Sequence, residues 1–390
     1  MSSAGTNGPS RPDCHHGLVT RRILHVCDNV LGGIASFLEA LVPRQVAHGH
    51  QVTVALPADG PCATRMAEAG ASHVPWQAMS RPGLSFPAEL ASLRSIVAGC
   101  RPDVVHLHND MPGLLGRLVI HGRHPTVFQP HAWSFIAVSP AMRRPALAWE
   151  KRAARWTAAI VCVSEAEQQL GTAAGIRAPM HLARNGVDLD LYPPQDDHAR
   201  RAARTRLGVR PGVPLAVCVG RLHRQKGQHA LLDAWPQVRT QVPDAELALV
   251  GDGPDRADLE QRLVAGVLIA GRTSDVLGWL AAADLVVLPS RWEGLSLSLL
   301  EALACARSVV VTDVPGMGEV VCADVGAVVP CQATSALAGA ISVRLLNRAL
   351  TDREGRAGRA LVERRYDVVD QHRKIESIYA DVLGACSPRG

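Results

Sequence analysis

The stretch Pro289–Asp313, PSRWEGLSLSLLEALACARSVVVTD, decides the fold. The apolar run Leu285–Leu288 leads into it and Val309–Val311 closes it, and each is the length of a buried strand. Between them, Ser296–Ala306 sets leucines and alanines at helical spacing, with Ser296 or Ser298 available as N-cap. The order strand, short polar loop, helix, strand is a βαβ crossover, the repeating unit of a parallel sheet.

In such a unit the loop at the strand's carboxyl end lies in the ligand crevice. Here it carries Glu293 and Gly294, and the helix behind it carries Glu301. Gly294 lets backbone approach a ligand closely, and the free N–H groups of the helix start hold oxygens with partial negative charge. Two carboxylates around such a site suit a polyhydroxylated ligand, because they accept hydrogen bonds from sugar hydroxyls. Taken singly, Glu293 reads equally as a charge on the helix dipole and Glu301 as an exposed helix residue.

Together, W-E-G-L-S-L-S-L-L-E-A-L-A-C resembles the E-x7-E segment of retaining GT-B glycosyltransferases of family four. The resemblance implies two Rossmann-like, doubly wound domains facing across a cleft, with a C-terminal helix crossing back to the first. It implies that Glu293 lies near a donor sugar, that Glu301 binds the nucleotide's ribose, and that Gly294, Leu295, Ser296 and Leu297 belong to the donor loop. The family usually continues A-C-G-x-P-V-V, whereas this chain has Ala304-Cys305-Ala306-Arg307-Ser308-Val309.

Strand and helix patterns alternate on both sides of this stretch. The first half reads as strands at Arg22–Cys27, Val52–Leu56, Val104–Leu107, Pro125–Gln129 and Ala158–Val163, with a long helix over Pro140–Trp156. Paired Gly32 and Gly33 follow the first strand, in a turn that the family directs at the cleft. His131, in Q-P-H-A-W-S-F, resembles the family histidine that touches the donor sugar, and an exposed loop histidine is its plain alternative. His106-Leu107-His108-Asn109-Asp110 looks like the opening of a metal-dependent hydrolase, but Met111 stands at the last position and no later cluster completes a ligand set. Core or loop histidines are the expectation there, and no metal is expected. Asn185-Gly186-Val187-Asp188 resembles the family's N-G-V-D turn.

The second half opens with Leu215–Val219 and then Gly220-Arg221-Leu222-His223-Arg224-Gln225-Lys226-Gly227 before a helix. Cations in a glycine-bounded loop ahead of a helix start make a diphosphate site. In register with the family's G-R-x-x-x-x-K-G, the resemblance assigns Arg221 and Lys226 to the donor phosphates. Gly251 follows the next strand, and Gly271-Arg272 follows the one after, where family members meet the base. The expected organisation is a disordered tail over 1–20, an acceptor domain over 21–190, a linker over 191–212, a nucleotide-sugar domain over 213–366 and a crossover helix over 367–385.

Composition bounds the rest. At 390 residues and 41.5 kDa the chain is too long for one ordinary core. No apolar run is long enough to span a membrane, and Met1–Arg22 has no apolar segment of the signal-peptide kind. Ten scattered cysteines without a C-x-x-C pair indicate reduced thiols and a cytoplasmic protein. A net charge of +5 with 4% aromatics gives nucleic acid little support, and it is compatible with an anionic donor or a membrane surface. Arg143, Arg144, Lys151, Arg152 and Arg155 make the Pro140–Trp156 helix basic, either as a solvated face or as a peripheral contact with the inner face of a membrane.

The expected function is transfer of a hexose-type sugar from a UDP- or GDP-linked donor to a sugar, lipid-linked or small-molecule acceptor, with retention and without a cofactor. A nucleotide-sugar epimerase, a phosphorolytic enzyme of the same fold and a non-catalytic binding module are the alternatives.

Overall fold

The computed structural model describes residues 20–28, 32–58, 60–78 and 85–386. The tail expected over 1–20 therefore lies, but for its last residue, outside the described residues. Two parallel sheets form. The first holds β1 (Arg22–Val26), β2 (Gln51–Leu56), β3 (Ser72–Pro75), β4 (Val104–His108), β5 (Thr126–Gln129), β6 (Ala159–Cys162) and β7 (Met180–Leu182), in the order β3-β2-β1-β4-β5-β6-β7. The second holds β8 (Leu215–Val219), β9 (Glu246–Val250), β10 (Val267–Gly271), β11 (Leu285–Leu288), β12 (Val309–Thr312) and β13 (Gly326–Val329), in the order β10-β9-β8-β11-β12-β13.

Continuous apolar strands such as LAVCV in β8 and LVVL in β11 are wholly buried, because helices cover both faces of each sheet. The period of two divides them between layers: Leu215, Val217 and Val219 join one core, and Ala216 and Cys218 the other. Cys27, Cys162 and Cys218 are buried as small apolar groups.

The helix of the opening stretch runs over Leu297–Ala304, with Ser296 at the N-cap position. Where the family has glycine, Ala306 takes the left-handed φ of 55°, so the turn is kept despite the Cβ. Arg307, replacing a residue before the family proline, is buried and donates to the carbonyls of Leu280, Ala281 and Gln195. Within the stretch read as a connection, Asp197–Leu207 is a helix, and its Arg200 and Arg204 pair with Asp284 beside β11. The last helix, Val368–Cys386, puts Ile375, Ile378, Tyr379 and Val382 into the first domain's core. That spacing is one helical face, and each such side chain contributes roughly 1.5–3 kcal/mol of burial. The chain thus crosses back as the resemblance implied.

Candidate active site

Strand order reverses beside β1 in one sheet and beside β8 in the other, which opens a crevice at the carboxyl ends of these strands. On the second-domain side, Lys226 Nζ donates to Glu293 Oε1 at 2.6 Å, and Ser290 Oγ donates to the same oxygen at 2.7 Å. Glu293 is only 6% exposed, and a cation and a hydroxyl compensate for the lost water. Glycine makes this approach possible: at Gly227 (φ 71°) a Cβ would lie 1.9 Å from the Pro289 carbonyl oxygen. Gly251 plays the same part for the neighbouring turn, since its Cβ would lie 2.1 Å from the Gly220 carbonyl oxygen.

Glu301 stands on the helix behind. Burial pushes its carboxyl up to about 7, against the pull of the Tyr192 hydroxyl and the Lys226 charge. Arg221 and Arg272 are exposed, and no described residue forms an ion pair with either. Arg221 still acts across the crevice. Burial and Asp110 push Asp28 up to about 7, while Asn109 and the Arg221 guanidinium draw it back.

The two domains meet backbone-first at the donor loop. A Cβ on Gly294 would lie 2.1 Å from the His131 carbonyl oxygen, and Asn185 Nδ2 donates to the Leu295 carbonyl at 2.8 Å. Leu297 packs against cores of both domains. Glu319 reaches from the second domain to accept from the Glu165 and Ala166 amides of a first-domain helix. His131 itself has φ 58°, a conformation a non-glycine residue holds only when its surroundings enforce it. Gly32 (φ 75°) and Gly33 open the helix Gly33–Ala47, and no described atom lies within 4 Å of where a Cβ on either would stand, while residues 29–31 lie outside the described residues.

The structure thus brings together Lys226, Glu293, Gly294, Leu295, Glu301 and His131. It leaves Gly32, Gly33 and Arg272 without a direct contact to that group among the described residues. Sequence reasoning passed over Asp28, although a carboxylate directly after β1 is a signal of position. It also passed over Ser290, Tyr192 and the bridge from Asn185. His106 and His108 are buried, in line with the expectation of core histidines, and His25, which sequence reasoning passed over, joins them: each of the three brings a ring nitrogen within 4.8 Å of the others. Burial lowers all of them, His25 to about 4 and His106 and His108 well below the ordinary range, and it lowers His131 to about 3.

Comparison with known proteins bears on the family and the fold. Residues 31–191 match the model described as Glycosyltransferase Family 4, and residues 213–347 match that of Glycosyl transferases group 1. The alpha-maltose-1-phosphate synthase of Mycobacterium tuberculosis is 35% identical over 200 residues, 46% of this chain and 51% of the relative. The D-inositol 3-phosphate glycosyltransferase of Jonesia denitrificans is 31% identical over 270 residues, 62% of this chain and 63% of the relative. The chain spans about half to just under two thirds of the length of these curated relatives. Among solved structures, Anabaena Alr3699/HepE in complex with UDP and glucose superposes with a TM-score of 0.80 at 23% identity, covering 92% of this chain and 99% of the other. The lipopolysaccharide glycosyltransferase WaaG does so at 0.71 and 18% identity, covering 94% and 100%. These likenesses show the fold.

Proposed function

This chain belongs to the group 1, family-four glycosyltransferases of GT-B fold, and from that premise we propose that it is a retaining α-glycosyltransferase. It moves a hexose-type sugar from a nucleoside diphosphate, UDP- or GDP-linked, to a hydroxyl of a glycan, lipid-linked or small-molecule acceptor. The observation that carries the reading is the meeting of Lys226 and Glu293 with the Gly294 backbone laid against His131 of the other domain. One cation, one carboxylate and one imidazole then surround a single sugar–pyrophosphate linkage.

As the anomeric C–O bond breaks, positive charge grows on the sugar and negative charge on the departing diphosphate. Arg221, Lys226 and the amides at the start of Leu297–Ala304 stabilise the diphosphate where its charge develops, a role that needs no metal. Glu301 accepts from the ribose hydroxyls, and Arg272 stands at the base end of the donor. Glu293, beside the sugar, is the nearest carboxylate to the developing oxocarbenium. Retention is compatible with front-face attack, in which the leaving phosphate takes the acceptor's proton, and with a covalent intermediate on Glu293. The acceptor enters from the first domain past Gly32 and Gly33. The exposed Arg143, Arg144, Lys151 and Arg152 of the helix Pro140–Ala153 favour a peripheral contact with anionic lipid on the cytoplasmic side.

The test is turnover of a panel of UDP- and GDP-sugars by the purified chain, with acceptor supplied as cell extract and products read by mass spectrometry and anomeric NMR. Transfer with an α-linked product, unaffected by EDTA, is the expected result. Conversion of the donor's sugar without any acceptor would replace this reading with an epimerase.

A further inference from the structure

The first-domain wall holds a chain of ring-to-ring contacts whose direction can be worked out from its far end. Glu376, on the helix that crosses back, receives Arg21 Nη1 at 3.2 Å and lies 3.0 Å from His50 Nε2. An ionised carboxylate so placed only accepts. Gln45 lies next, its amide nitrogen 3.5 Å from Glu376 Oε1, which turns its Oε1 towards His25 Nε2 at 2.8 Å. An amide oxygen also only accepts, so His25 carries its proton on Nε2 and its Nδ1 is a lone pair. His108 Nε2 is 2.9 Å from that lone pair and must donate to it. His108 Nδ1 is then a lone pair in turn, and His131 Nε2, at 3.2 Å, must donate to it.

Resting on the glycosyltransferase reading above, we infer that His108, His25 and Gln45 are positioning residues that fix His131 as its Nε2–H tautomer, so that Nδ1 offers a lone pair to a sugar hydroxyl in the cleft. Among the described residues no group is bonded to that Nδ1, and the edge-on Phe37 ring, 5.1 Å away, restrains the imidazole's tilt. A neutral acceptor suits this place chemically. It takes a hydroxyl proton of the bound sugar in a hydrogen bond, and it adds no positive charge beside a centre that becomes cationic in the transition state. Every ring nitrogen along the line is committed, so a second proton on His25 or His108 would set N–H against N–H. The fourth histidine, His106, is held by Tyr379 Oη at 2.7 Å from Nδ1, and its Nε2 has no partner among the described residues. It stands beside the line and is no link in it.

The experiment is long-range ¹H–¹⁵N NMR of the histidine rings in the full chain, with His108→Leu and His108→Asn beside the wild type. The wild type should show His131 and His108 each protonated on Nε2 alone. His108→Leu should give both tautomers at His131 and lower kcat/KM for donor turnover about tenfold, the loss of one hydrogen bond's worth of orientation. His108→Asn, whose amide oxygen falls where Nδ1 was, should restore the single tautomer and most of the rate, with UDP binding unchanged throughout. An Nδ1–H tautomer at His131 in the wild type would overturn the inference. So would stoichiometric zinc in the purified protein with His108 Nε2 unprotonated, which would make His25, His106 and His108 a metal site. If no nucleotide sugar is turned over, the functional proposal fails, while the ring spectra still decide the chain.

Discussion

On the second-domain wall of the cleft Lys226 and Glu293 face each other as ions 2.6 Å apart, whereas on the first-domain wall His25, His106, His108 and His131 lie ring against ring without a charge. Both walls stand at the carboxyl ends of parallel strands. They differ in how far the side chains sit from solvent. Lys226 ends the 3-10 turn Arg224–Lys226 and keeps 21% of its side chain exposed, with a carboxylate to neutralise it. Three of the histidines lie on strands at 0% exposure, and among the described residues no acid bonds to their rings, so the neutral form is the one that can be buried. Paired charge is tolerated at the rim and neutrality is imposed at the floor. Under the proposed reaction, that division suits a departing diphosphate and a sugar becoming cationic.

The contrast can be broken most sharply at Lys226. Lys226→Ala should cost about 2–4 kcal/mol of transition-state stabilisation, or two to three decades in kcat, measured as donor turnover. An unchanged rate would remove the diphosphate assignment. Gly294→Ala separates the walls without touching either charge set. Its new Cβ meets the His131 carbonyl, and turnover should fall roughly ten- to a hundredfold through misplacement alone, with UDP affinity held.

Acidity should move the walls in opposite directions, and denaturation at a series of pH values would show it. His25, depressed to about 4, stays neutral in the folded state while the unfolded chain takes a proton below about 6.5. Stability therefore falls as pH drops from 6.5 towards 4, by about 1.4 kcal/mol per pH unit from His25 alone. Glu301, raised to about 7, holds a proton that the unfolded chain releases above its ordinary 4.5, so its contribution falls as pH rises from 4.5 to 7. His25→Leu should flatten the acid limb and Glu301→Gln the other; identical limbs in both variants would erase the contrast. The smallest effect belongs to the turn behind the charged wall. Ala306→Gly relieves a left-handed Cβ and should raise stability by about 0.5–1 kcal/mol in urea titration.

Much of the fold was legible because strand and helix periods are local. The apolar runs of β1, β2, β4, β5, β8, β11 and β12 stand out, and the last helix shows its apolar face. Polar β3 was missed because an edge strand buries too little to carry a pattern. The helix Asp110–Ile120 was missed because its start falls inside the histidine-rich run. The helices Thr334–Leu346 and Arg348–Arg365 part at Asn347, whose side chain accepts from the Leu350 amide and so caps the second.

From its sequence alone this protein determined two runs of βαβ units, and at their strand ends the loops that carry Arg221 and Lys226, Glu293 and His131. Those follow from spacings of two to eight residues, which a chain writes directly into its order. Only the tertiary structure decided that Lys226 would neutralise Glu293, that Asn185 would hold the Leu295 carbonyl, and that imidazoles from two strands and one loop would share a line of protons. Such partners are chosen by sheet order and by burial, sums over many distant contacts. No local stretch records which strand ends will face each other.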